Sequence, residues 1–176
     1  MTLSDLGNVG ELIGAIAVVL SLLYLSVQIR QNTRQVRAAT FQGVARGWQE
    51  FLYTITSDDR AQLWLKGTVD FTALDAEERS RYFLLFRAYF RGYENDYYQF
   101  KQGTFDATPW EGYLNALRDD ALSRPGIRRM WEQDRGNFNP EFVEFIDREL
   151  KATAVDEAAG SFEPDRKPAP DEEPAL

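Results

Sequence analysis

No charged residue occurs from Leu12 to Ile29, where LIGAIAVVLSLLYLSVQI runs unbroken until Arg30. As a helix rising about 1.5 Å per residue, this run covers roughly 27 Å, close to the ~30 Å hydrocarbon core of a bilayer. The pattern predicts a membrane-spanning helix. A cleaved signal peptide would carry a basic start and a small-x-small cleavage site, and Met1 to Gly10 holds neither Lys nor Arg. A buried soluble helix keeps some polar positions, and a charge-free stretch this long exceeds what most small cores absorb.

The helical period continues past the apolar run. From Gln28 to Ile55 there is no proline, and Phe41, Val44, Trp48, Phe51 and Ile55 recur at spacings of three and four, one apolar stripe on a helix. Gln28, Gln31, Asn32 and Gln35 occupy the exit from the membrane, so the same helix is expected to join a soluble core. Ser57 or Asp58 then caps a short helix to Lys66, ended by Gly67. Asp75 and Glu78 have capping-box spacing and predict a helix from Ala76 to about Gln102, with Gly103 as terminator. Thr108, Pro109 and Glu111 open a fourth helix running to about Leu122. Ser123 and Pro125 open a fifth, closed by Gly136. Asn139 and Pro140 open a sixth, carrying Phe142, Phe145, Ile146 and Leu150.

No stretch alternates with period two between turn signals. The predicted fold is therefore all-α: an N-terminal transmembrane helix continuing into a cytoplasmic bundle of about five further helices. The corresponding units are an anchor over 1–30, a bundle domain over 31–158, and an acidic, proline-rich tail over 159–176. That tail has too few large apolar residues to offset the entropy of ordering and reads as disordered.

Charge refines the picture. The 176 residues carry a net charge of −8, which disfavours nucleic acid as a partner. Asp5 and Glu11 precede the apolar run, whereas Arg30, Arg34, Arg37 and Arg46 follow it with no acid between them. By the positive-inside tendency, the chain after Ile29 faces the cytoplasm. Arg30, Arg34 and Arg37 are also candidates for contact with anionic lipid head groups. Within the span, Gly7, Gly10, Gly14, Ala17 and Ser21 follow one another at spacings of three and four. Such small residues let helix backbones approach, which predicts self-association or docking to another membrane protein's span. Glu11 beside them is expected at the outer interface.

The chain contains no cysteine and no histidine. Disulfides, thiol catalysis and imidazole chemistry are excluded, as is a di-iron site of the Glu-x-x-His type. No metal or cofactor is expected. The densest segment is RYFLLFRAYFRGYENDYYQF, Arg81 to Phe100, whose aromatic residues fall on one broad helical arc. It reads as a bundle core of large rings or as the wall of a pocket for an apolar ligand. The candidate pocket is Tyr89, Tyr93, Asp96 and Phe100. Asp96 sits on the flank of that arc, so it needs a partner, a tyrosine hydroxyl or an arginine from a neighbouring helix, or else its pKa must rise; its functional reading is a group that receives a proton or binds a cationic ligand. Arg87, Arg91 and Glu94 gather on a separate ridge, read as solvated and locally paired, or else as an anion clamp. Trp110 is expected to pack as a lid on the core.

The opening LGNVGELIGAIAVVLSLLYLSVQIRQNTRQVRAAT resembles a family of small, uncharacterised bacterial single-span proteins. So do YFRGYENDYYQF, the Trp110-Glu111-Gly112 start and the ending NPEFVEFIDREL. The resemblance implies an inner-membrane protein with a helical cytoplasmic domain. It brings no activity, cofactor or catalytic residue. The sequence expectation is accordingly a membrane-anchored, non-enzymatic scaffold, adaptor or accessory subunit, in contact with membrane lipid and forming a homo-oligomer or joining another membrane protein. The alternative is a ligand-responsive helical module binding an apolar or lipid-like molecule in an aromatic-lined pocket.

Overall fold

A computed structural model describes residues 3–158; the acidic tail lies outside the described residues. The chain is all-α, with six α-helices and no strand among the described residues. Helix α1 (Leu3–Ile55) is continuous from the apolar run into the bundle. Four shorter helices and a fifth follow: α2 (Asp58–Val69), α3 (Ala76–Lys101), α4 (Ala107–Ala116), α5 (Pro125–Asp134) and α6 (Pro140–Ala158).

The local signals act largely as their chemistry demands. Asp75 accepts from the Glu78 N–H at 2.9 Å, and the Glu78 carboxylate accepts from the Asp75 N–H at 2.9 Å, closing the capping box of α3. Past the far end of α3, Gly103 takes φ of +69°, a left-handed turn that glycine adopts without Cβ strain. Pro125 opens α5 in its first turn, and the Asn139 side chain accepts from the Glu141 N–H at 2.9 Å to start α6.

Some boundaries differ from the sequence expectation. Helix α2 runs through Gly67 to Val69 instead of stopping at Lys66. Gly67 serves packing: a Cβ there would lie 2.4 Å from the Tyr82 ring. Helix α4 starts at Ala107, and its N-cap position is Asp106, two residues ahead of the expected cap at Thr108. Pro109 still falls in the first turn, where its missing N–H costs no helical bond. The expected fourth helix to Leu122 divides into α4 and a π-helical turn, Leu117–Leu122. The fifth ends as an α-helix at Asp134 and tightens into a 3-10 turn over Arg135–Asn137 before Phe138.

Helix α3 is the hub of the bundle. Its Tyr89 and Tyr93 rings meet Trp48 of α1 at 5.4 and 4.5 Å between centroids. Phe90 meets Trp131 of α5 at 4.9 Å, Tyr97 stacks on Phe145 of α6 at 4.6 Å, and Phe100 stacks on Trp110 of α4 at 5.2 Å. Helices α1 and α3 run antiparallel, since Trp48 reaches Asp96 while Phe51 reaches Tyr89. The core mixes large rings with aliphatic side chains: Tyr82, Phe86 and Phe90 are fully buried together with Leu117, Leu122, Ile127 and Ile146.

Above the bundle, α1 stands alone. Every described side chain from Gly10 to Ala39 is exposed, and Val44 is the first buried residue. The helix is long and apolar enough to cross a membrane, with an 18-residue window of mean hydropathy 2.3 and none of that window buried.

Candidate functional site

Helix α3 carries a slot at Gly92 to Asp96. Gly92 leaves room for the Trp48 indole, which a Cβ there would approach to 3.3 Å. With its ring laid across Gly92, Trp48 donates from Nε1 to Asp96 Oδ2 at 2.7 Å, one helical turn further on. The Asn95 amide adds a long contact of 3.5 Å to the other carboxylate oxygen. Asp96 is 2% exposed, and burial pushes its carboxyl up to about 6 against the lowering effect of the indole and amide donors. Its partner is therefore a tryptophan of α1, neither the tyrosine hydroxyl nor the arginine anticipated from the sequence.

Beside this slot lies a cleft of about 380 Å³ between α1, α2, α3 and α4. Trp48, Phe51, Trp64, Tyr89, Tyr93 and Tyr113 supply its aromatic wall. Leu52 and Leu65, 52% and 59% exposed, form an apolar rim. The π-helical turn brings Asp120 to one edge, with Arg124 just beyond it. Tyr93 donates to the Tyr113 carbonyl at 3.2 Å, and burial raises the pKa of both Tyr89 and Tyr93, keeping their hydroxyls neutral. Such a wall suits a flat apolar molecule, with a carboxylate and a guanidinium at the mouth to meet its polar groups.

The candidate pocket residues thus separate. Tyr89 and Tyr93 line the cleft, Asp96 sits behind Trp48 outside the lining, and Phe100 is remote, stacked on Trp110. Trp48, Trp64, Tyr113 and Arg124, which the sequence reading did not assign to a site, complete it. Trp48 was visible as a member of the α1 stripe; its meeting with Asp96, 48 residues away in sequence, depends on the register between two helices. A larger polar groove of about 560 Å³ runs between the end of α3 and the start of α6.

The Arg87, Arg91 and Glu94 ridge keeps the expected local pair of Arg91 with Glu94 and leaves Arg91 half exposed, but it is also a clasp on the α5–α6 junction. Arg87 grips Asp134 with two hydrogen bonds, 2.9 Å from Nε and 2.6 Å from Nη2. The Asp134 side chain is 3% exposed, and Asn137 donates to it at 2.7 Å. Arg91 pairs with Glu94 and donates to the Asn137 carbonyl at 2.7 Å, while Glu94 accepts from the Asn139 N–H at 2.6 Å. All three side chains are spent on holding the α5–α6 junction, which leaves no free anion clamp. Trp110 is buried at 3% exposure, as a core lid requires.

Of the arginines that follow the apolar run, Arg30 and Arg34 are exposed, whereas Arg37 forms an ion pair with Asp106 at 3.0 Å and ties α1 to the loop before α4. In the apolar run Gly10 and Gly14 have nothing within 4 Å of a Cβ, and Ala17 and Ser21 are exposed. Gly7 belongs to α1, and its surroundings lie outside the described residues. No group of His, Cys, Asp or Glu among the described residues is placed to hold a metal ion. The chain matches no protein-family model, no curated protein and no solved structure.

Proposed function

We propose that the protein is a membrane-anchored, non-enzymatic scaffold or accessory subunit, spanning the inner membrane once with its bundle in the cytoplasm. One observation carries this reading: among the described residues, no side chain in the apolar half of α1 is buried. Leu12, Ile13, Val18, Leu20, Leu22 and Leu23 are each 60% or more exposed. Leaving such a surface in water is unfavourable by roughly 25 cal/mol per Å², so lipid or another helix must cover it. The arginines that follow and the acids that precede the run support the orientation. The small-residue stripe supports association within the bilayer.

Membrane fractionation tests the anchor. The full chain is expected in the pellet after carbonate washing and in the supernatant only with detergent; recovery as a soluble monomer would refute the reading. Replacing Gly10 and Gly14 by isoleucine should weaken association in detergent by at least fivefold, and an unchanged assembly state would rule out that stripe as the contact.

The aromatic cleft favours a second reading, a module that responds to an apolar small molecule. Trp48 and Trp64 line the cleft and report on it directly. A short-chain quinone should quench part of the tryptophan emission in a saturable way, and Tyr89→Trp should abolish the saturable part by filling the space. Linear, non-saturating quenching in both proteins would dismiss the idea.

A further inference from the structure

Helix α1 contains five glutamines, Gln28, Gln31, Gln35, Gln42 and Gln49, and they are separated by three, four, seven and seven residues. Every one therefore falls on a single heptad seam. Ala38 and Ala45 occupy the remaining seam positions between them, and Leu52 follows. Extended backwards at the same spacing, the seam passes through Tyr24 and enters the stripe of Ser21, Ala17, Gly14 and Gly10. No charged residue lies on it, although Arg30, Arg34, Arg37, Arg46 and Glu50 sit on other faces of the same stretch.

The bundle leaves this seam clear. It packs on the neighbouring face of α1, through Phe41, Val44, Trp48 and Phe51. All five glutamines are exposed, and only Ala45 is half-covered. Gln28 donates to the Tyr24 hydroxyl at 2.7 Å, its neighbour on the seam; the other four amides make no side-chain hydrogen bond among the described residues.

We propose that α1 pairs with α1 of a second copy of this chain, parallel and in register, along the seam from Gly10 to Leu52. The proposal rests on the membrane-anchored reading, because two copies inserted in one bilayer with one orientation must run parallel. A primary amide both donates and accepts, so each glutamine is complementary to its own copy across a two-fold axis, which neither a carboxylate nor a guanidinium is. Positions that repeat every 3.5 residues also stay on the facing seam of a left-handed supercoil of two helices, held here by amides and alanines in place of the usual apolar residues. The extent is adequate. From Gly10 to Leu52 the seam is about 63 Å long, and a contact strip about 10 Å wide covers roughly 630 Å² on each helix. The total, about 1,300 Å², falls within the ~1,200–2,000 Å² of stable interfaces. Small residues in lipid and amides in water would then be two halves of one contact.

The absence of cysteine makes the test direct. Gln28→Cys, Gln35→Cys and Gln42→Cys, each in the full chain in native membranes, should oxidise to disulfide-linked dimers under copper phenanthroline. Thr33→Cys and Thr54→Cys, exposed on the far side of the helix, should yield at least tenfold less. Equal yields at all five positions, or none on the seam, would overturn the proposal. Cross-linking of Gly14→Cys without Gln35→Cys or Gln42→Cys would also overturn it while leaving association through the anchor intact. A linked product containing a different protein would overturn the second copy as partner and leave the scaffold reading standing. The double variant Gln35→Glu, Gln42→Glu faces like charges across the axis and should cut the Gln28→Cys dimer at least tenfold; an unaffected yield would exclude the in-register pairing.

Discussion

At Asp96, burial and an indole donor pull in opposite directions, and burial wins. Burial pushes its carboxyl up to about 6 in the folded chain, above the ordinary value of 3.8. A raised folded-state pKa means that the stability contributed by the protonated form is fully present below about pH 4. It is lost as pH rises through 6, at up to about 3 kcal/mol for a shift of this size. Asp96→Asn keeps an acceptor for Trp48 and removes that loss. The variant should match the parent near pH 4 and be more stable by about 2–3 kcal/mol at pH 7.5, as read from urea unfolding at both pH values. Tyr82 offers a simpler case. Its hydroxyl is the buried side-chain polar atom without a partner among the described residues. Tyr82→Phe should raise stability by about 1 kcal/mol, and a loss of stability would mean that the hydroxyl has a partner after all. Arg87→Met should do the reverse, since it strands a buried carboxylate; about 3 kcal/mol is expected, with Asp134→Asn recovering part of it in the double variant.

Among the elements, the crossing of α2 and α5 is the most demanding. A Cβ on Gly126 would stand 2.0 Å from the Gly67 carbonyl oxygen and 2.7 Å from that of Thr68. The first turn of α5 thus abuts the carbonyl-rich end of α2, where backbone meets backbone and no side chain can give way. Gly126→Ala should cost about 3 kcal/mol or prevent folding. Gly112 in α4 has open space around it, so Gly112→Ala should add about 0.5–1 kcal/mol through helix propensity alone. Thermal melts of the two variants side by side separate these effects. The contrast also separates local signals from tertiary ones. The capping box at Asp75, the terminator at Gly103 and the proline at Pro125 are local signals, and each was legible. Gly67 had the same look as a terminator, yet it belongs to a tertiary crossing that no local pattern announces. The π-helical turn was likewise hidden, because Leu117, Ala121 and Leu122 are buried at positions equally compatible with an ordinary helix.

For the whole molecule, the core and the apolar half of α1 share no buried residue. A fragment beginning at Gln31 should therefore keep its helical circular dichroism and melt within about 1 kcal/mol of the full chain in the same detergent. Loss of helicity would mean that the bundle needs its anchor to fold. The candidate site was only half legible at this scale. Tyr89 and Tyr93 were visible as members of an aromatic arc, whereas Trp64, Tyr113 and Arg124 reach the same cleft from three other segments. The Arg87 clasp was missed for the same reason, its partner Asp134 lying 47 residues away.

Helix α1 passes from its apolar half into the bundle with no proline and no interruption. From Ile29 to Arg37, its first ion pair with the bundle, is eight residues, about 12 Å of stiff rod. On the membrane-anchored proposal the globular part would have no swivel: it would ride directly under the head groups, and twisting the apolar end of α1 by one residue, about 100°, would swing the cleft through the same arc.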